Sequence, residues 1–122
     1  MKQNISRLVV WVFLCLALQA CHSATSPETE SFFRAARAGN ADTVRSLLAS
    51  PRVNVNAVDE NGNTPLIEAA RFGHNEVVTA LLLAKADVTH KNKDGKTALM
   101  LASEGGHDET VLALTQAGAG NR

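Results

Sequence analysis

The side chains best suited to chemistry are two cysteines and four histidines. Cys15 and Cys21 are six apart, and Cys15 sits inside an unbroken apolar run. No C-x-x-C, G-x-S-x-G, H-E-x-x-H or phosphate-binding loop occurs. The histidines are His22, His74, His90 and His107. A shared zinc ion needs every ligand within about 2 Å of the metal. His74 and His107 each follow a glycine in matching local sequence, so a repeated structure sets them about one helix spacing apart, on the order of 10 Å. They cannot share an ion. Acid–base work needs two carboxylates converging in a cleft. Glu68, Glu76, Glu104, Asp108 and Glu109 read instead as solvated helix faces. No Ser–His–Asp set can be nominated from spacing, and tyrosine is absent. The expectation is a protein that is not an enzyme, with no catalytic residue, no cofactor and no metal.

One of the cysteines has a clearer assignment. Lys2 and Arg7 precede the run Leu8–Leu18, LVVWVFLCLAL, which contains no polar residue. A basic start, an apolar stretch and a small-residue exit describe a signal peptide. The stretch is about half the roughly 20 residues a membrane-crossing helix needs. Leu18 is too bulky for the upstream position of an ordinary A-x-A cleavage site. Leu18-Gln19-Ala20-Cys21 instead resembles the bacterial lipoprotein signal, although Gln19 stands where Ala, Ser or Thr is commoner. That resemblance implies removal of residues 1–20 and lipidation of Cys21 by diacylglycerol and usually a further acyl chain (palmitate and its like). Two chains hold a protein stably on a membrane where one does not. His22, rather than Asp, follows the cysteine, which implies the outer membrane rather than the inner, facing the periplasm. Residues 21–28 form the lipidated cysteine and a short tether. Pro27 forbids a continuous helix there, and His22–Glu28 reaches at most about 25 Å.

The elements that must position everything else recur with a fixed beat. At an offset of 33, Gly62 meets Gly95, Thr64 meets Thr97, Leu66 meets Leu99, Ala69 meets Ala102, Gly73-His74 meets Gly106-His107, and Leu81 meets Leu114. A more worn copy lies 34 residues earlier, where Ala35-Ala36, Gly39, Val44 and Leu47-Leu48 match Ala69-Ala70, Gly73, Val78 and Leu81-Leu82. The extra residue falls near Ser50-Pro51-Arg52, in a loop that tolerates it. Asn61-Gly62 and Asp94-Gly95 suit tight turns. Thr64-Pro65 caps and opens a helix. Gly73 ends it, and Val77, Val78, Leu81 and Leu82 stripe a second helix. Each copy is a helix pair that cannot bury its faces alone, so neighbours must stack.

This pattern resembles the ankyrin repeat, over about residues 29–120. The second copy holds D-x-x-G-x-T-P-L-x-x-A-A-x-x-G-H-x-x-V-V-x-x-L-L almost intact. Ile67 and Met100 replace the usual His, Ala98 replaces the Pro, and Lys85 replaces a Gly that the third copy retains as Gly118. The implied fold is an all-α solenoid of about three helix-turn-helix repeats (29–58, 59–91 and 92–122) with short β-turn or hairpin tips. The resemblance also implies that each Gly-His pair fastens neighbouring loops by hydrogen bonds. Phe32 and Phe33 fill the first helix of copy one. Thr110, Thr115 and Gln116 in the last copy sit where no fourth repeat covers them.

With 122 residues, 45% hydrophobic and 20% charged, the sequence suits one folded domain rather than a disordered chain. Twelve basic residues balance twelve acidic ones, and loss of residues 1–20 leaves ten against twelve. Nucleic-acid binding, which needs a basic footprint, is not expected. Ankyrin resemblance implies a protein partner bound through turn tips and the concave face of the first helices. Carried over by position, the contacts are Val58, Glu60, Asn61 and Asn63 on one tip and Lys91, Lys93, Asp94 and Lys96 on the next. Arg37 and Ala38, Arg71 and Phe72, and Glu104 and Gly105 lie on the helices. Phe72 is either an interface anchor or tucked against its neighbour. Lys91, Lys93 and Lys96 either favour an acidic partner or are merely solvated. The expected protein is a lipid-anchored, monomeric periplasmic module that binds a partner without catalysis, as helper of an envelope enzyme or as immunity protein against a periplasmic toxin. The alternative is a structural envelope protein contacting peptidoglycan or lipid.

Overall fold

The computed structural model describes residues 26–118. The signal peptide, Cys21 with its expected lipid, and most of the tether lie outside the described residues. The Ser26 hydroxyl accepts a hydrogen bond from the Thr29 amide at 3.2 Å, and Pro27 takes the first helical position. Helix α1 (Pro27–Ala38) therefore includes Pro27 and Glu28, which were expected in the tether. A proline that breaks a helix interior fits its first turn, where its missing N–H would have had no partner.

The same device opens the first helix of the next two repeats. Thr64 accepts from the Ile67 amide at 3.2 Å ahead of α3 (Pro65–Arg71). Thr97 accepts from the Met100 amide at 3.3 Å ahead of α5 (Ala98–Glu104). Ala98 stands where Pro65 does, yet the two caps share an almost identical backbone, with ψ of 165° and 167°. The threonine sets this geometry and proline is an addition. The second helices are α2 (Ala41–Leu48), α4 (Asn75–Leu83) and α6 (Asp108–Gln116). Between α3 and α4, Gly73 adopts φ 72° and the His74 amide reaches back to Ala69 O at 3.0 Å. This left-handed closure satisfies carbonyls that the helix end leaves free. Lys85 closes α4 at φ 66° without being a glycine.

Helices α1, α3 and α5 form one layer and α2, α4 and α6 the other, each packed on its partner and on the equivalent helices next to it. No strand occurs among the described residues. The core runs along the seam between layers. Phe32, Leu66, Val77, Val78, Leu81 and Leu114 are fully buried, and Ala36, Ala69, Ala70 and Ala102 let the helices approach closely. Each large apolar side chain so buried is worth about 1.5–3 kcal/mol of transfer free energy. Among the described residues Ile67, with a repeat on either side, is buried, whereas Met100, its equivalent in the third repeat, is half exposed. Thr110 departs from expectation. It is fully buried, because its position faces back toward α4, and its hydroxyl donates to Asn75 Oδ1. Thr115 and Gln116 are exposed. No helix among the described residues is long and apolar enough to cross a membrane.

Gly73 and Gly106 isolate the packing term, since both are left-handed, at φ 72° and 73°. A Cβ on Gly73 would collide with the His107 ring, while one on Gly106 would meet nothing within 4 Å. Gly106→Ala should cost about 1 kcal/mol of unfolding free energy from backbone strain. Gly73→Ala should cost about 1–3 kcal/mol more, measured by urea denaturation. Equal losses would contradict this packing.

Candidate docking groove

The tips are built from short polar side chains that fold the backbone around themselves. Asp59 Oδ1 accepts the amides of Asn61 and Asn63, both at 2.9 Å. One repeat on, Asn92 Oδ1 accepts the amides of Asp94 and Lys96, both at 3.0 Å. A single narrow pair closes each turn, Asp59 N to Asn63 O at 2.9 Å and Asn92 N to Lys96 O at 3.0 Å. The tips are also tied to each other. The Lys93 amide donates to Asn61 O at 3.0 Å, and Asn92 Nδ2 to Asn63 Oδ1 at 2.9 Å. His90 Nε2 donates to Gly62 O at 2.9 Å. At the far end of the layers, His74 Nε2 donates to Arg37 O at 2.8 Å and His107 Nε2 to Arg71 O at 3.1 Å. The Gly-His pairs thus fasten neighbouring repeats. Among the described residues no group of three or more His, Cys, Asp or Glu converges on a common point.

Two residues read as surface groups lie inside the protein. Glu68 was expected on a solvated face, yet it is only 3% exposed. Asn63 Nδ2 donates to its Oε1 at 2.9 Å, and Arg37 Nε lies 3.3 Å from its Oε2. Arg37 also reaches Asp59 Oδ2 at 3.1 Å. A carboxylate can be buried here because a guanidinium and an amide replace its water. Asn63, expected as a contact on the tip, is only 4% exposed and spends its side chain on Glu68 and Asn92. It braces the tip from within. Arg37 closes this clamp as well as showing a face to solvent.

The second and third tips and α5 enclose a groove of about 550 Å³. Its walls are Asn61, Asn63, Arg71, Asn92, Lys93, Asp94, Lys96, Leu101, Glu104 and Gly105. Eight of the fourteen contact positions expected from the sequence come together there: Asn61, Asn63, Arg71, Lys93, Asp94, Lys96, Glu104 and Gly105. Arg37, Ala38, Val58, Glu60, Phe72 and Lys91 do not line it. Asn92 and Leu101 escaped the sequence reading, as did Asp59 in the clamp. Setting each beside its equivalent at the 33-residue offset would have exposed them, because Asp59 pairs with Asn92 and Glu68 with Leu101. Phe72 is 49% exposed at the end of α3, with the Arg71 guanidinium 5.8 Å from its ring centre. Lys96 is not a free cation, since its Nζ lies 2.9 Å from both Glu104 oxygens. The arrangement offers recognition chemistry: cations and amides around a partly apolar wall.

Below the tips, Asp87 ties the preceding loop. The Thr89 hydroxyl and the Thr89 amide both donate to its Oδ1, at 2.7 and 2.9 Å. These bonds hold the Asp87 carboxyl below its usual 3.8, since they favour the charged form.

A family model described as "Ankyrin repeats (3 copies)" matches residues 32–121. Ankyrin repeat domain-containing protein 29 of Homo sapiens is 41% identical over 63 residues, covering 52% of this chain and 21% of that protein. The protein of the same name from Danio rerio is 40% identical over 63 residues, with the same coverage. The chain spans about a fifth of the length of these curated relatives.

Two predictions follow from the polar ties. Arg37→Ala leaves the buried Glu68 carboxylate short of its cation and should cost about 2 kcal/mol, less than a fully buried pair because Arg37 is half exposed. Removing the charge as well, in Arg37→Ala with Glu68→Gln, should restore part of that loss in urea denaturation. No recovery would contradict the clamp. For Asp87 the folded value is depressed, so its contribution is present above the unfolded value and disappears as pH falls through the folded one. Asp87→Ala should therefore be less stable than wild type at pH 7. The gap should narrow as pH drops below the usual carboxylate value, and a constant gap would contradict the assignment.

Proposed function

This chain belongs to the ankyrin-repeat family, and from that premise we propose that it is a non-catalytic docking module at the bacterial cell envelope. Lipid on Cys21 holds it to the membrane, more readily the outer than the inner, with the repeats facing the periplasm. The groove between the second and third tips receives one segment of a protein partner. The observation that carries the docking reading is the groove itself, whose walls include eight of the positions that the ankyrin resemblance marks as contacts. Its walls are held before any partner arrives, by the tip-to-tip bonds from Lys93 N to Asn61 O and from Asn92 to Asn63. A preformed site avoids part of the ordering cost of association. The exposed ring of Phe72 adds an anchor of the kind that concentrates binding energy.

Two roles suit such a module. It assists an envelope enzyme by holding it at the membrane, or it neutralises a periplasmic toxin by covering it. Lipoprotein-type residues Leu18–Cys21 support the membrane address, and the short span to Ser26 keeps the repeats close to the surface. A structural role, with peptidoglycan or lipid as the contact, is the outcome that the following experiment separates.

A soluble form lacking residues 1–21, used as bait on solubilised membranes, should retain one stoichiometric protein. Recovery of cell-wall fragments alone would reject the docking reading. Phe72→Ala with Lys93→Ala should weaken that capture by about tenfold, equivalent to about 1.4 kcal/mol, with the thermal midpoint almost unchanged because both side chains are exposed. Unfolding of the double variant would make those residues structural. Cys21→Ser should move the full chain from the membrane to the soluble fraction and end lipid labelling. Persistent labelling would defeat the anchor.

A further inference from the structure

The two interfaces between repeats differ in one chemical respect. At the first, Arg37 lies between two carboxylates, 3.1 Å from Asp59 Oδ2 and 3.3 Å from Glu68 Oε2. At the second, Arg71 occupies the position equivalent to Arg37. The residues equivalent to Asp59 and Glu68, however, are Asn92 and Leu101. Both carboxylates are gone, and the groove opens at that place, with Arg71, Asn92 and Leu101 among its walls. Among the described residues Arg71 forms no ion pair; its guanidinium rests over the Phe72 ring.

We propose that the groove binds an acidic segment of a protein partner, one of whose carboxylates takes the place on Arg71 that Asp59 and Glu68 take on Arg37. This rests on the docking reading above and gives it a chemistry. The charge around the groove agrees. Arg71, Lys93 and Lys96 face the carboxylates of Asp94 and Glu104, and Glu104 is already held by both of its oxygens on Lys96 Nζ. One positive charge is left over, and Lys93 stands beside it to steer an anionic chain inward. Leu101, part-buried in the wall, offers the methylene groups of a glutamate an apolar surface. A carboxylate of the partner would meet a planar fork that donates two parallel hydrogen bonds to it.

The test titrates the full chain, in zwitterionic detergent micelles at about 20 mM salt where screening is weak, into labelled hexaglutamate and follows fluorescence anisotropy. Hexaglutamate should bind and hexaglutamine should not. Arg71→Gln should raise the dissociation constant about fivefold to tenfold. Leu101→Glu, which returns to Arg71 the internal carboxylate of the first interface, should do the same, while Leu101→Gln stays within about twofold of wild type. Circular dichroism checks that each variant is folded, and should Leu101→Glu unfold, the Arg71→Gln comparison decides alone. Absence of hexaglutamate binding, equal binding of hexaglutamine, or variants that bind like wild type would overturn the proposal. Displacement by free glutamate at equal carboxylate concentration would reassign the site to a small anion and overturn it also. The two readings fail separately: a captured partner that Arg71→Gln retains undiminished leaves docking in place and removes only this chemistry.

Discussion

Burial in this protein is shared between neighbours. A two-helix unit has apolar residues on more than one face, and its own partner helix covers only part of them. Leu66, Ala70 and Val78 in the middle unit reach full burial with a helix pair on either side. In the third unit, Met100 remains half exposed at a position where Ile67 is sealed in the second. The need for a neighbour dictates the layer arrangement, the alanines at close approaches, and the left-handed turns that bring each second helix back against the first. It also brings successive tips within hydrogen-bonding distance, which is what makes a groove at all.

Most of this was legible in the sequence because repetition carries its own redundancy. Thr64 and Thr97 advertise helix starts, the Gly-His pairs advertise turns and ties, and the Leu and Val stripes advertise the buried sides. Each signal appears more than once at a constant offset, so helix positions follow from residue type alone. The first helix was placed too late because Pro27 reads equally as a breaker and as an opener, and only the Ser26 hydroxyl on the Thr29 amide decides. Thr110 reads as uncovered from the sequence because it is a polar replacement in the third copy, where no fourth copy is seen to cover it. Its burial depends on which side of α6 looks back at Asn75, and a hydroxyl with a partner can be enclosed at little cost.

The site was less legible than the fold, and for a physical reason. Which positions form tips follows from the repeat. Which charges are consumed internally depends on pairings that span it. Glu68 looks like any surface glutamate until Arg37, 31 residues away, and Asn63 are seen to enclose it. Lys96 looks like part of a basic patch until Glu104 is seen to hold it. At the second interface, subtracting those internal pairs leaves Arg71 and Lys93 without an ion pair among the described residues, beside the exposed ring of Phe72. Equivalent positions thus hold side chains that tie repeats together at one interface and side chains without such a tie at the next.

Whether recognition happens in the groove or on the outer helices is best decided by proximity. A photo-crosslinking side chain placed at position 93, on the groove rim, should give one discrete adduct with a membrane protein on irradiation of intact cells. The same group at position 112, exposed on α6, should give none. An adduct from position 112 with no adduct from position 93 would put the partner on the opposite face and contradict docking in the groove.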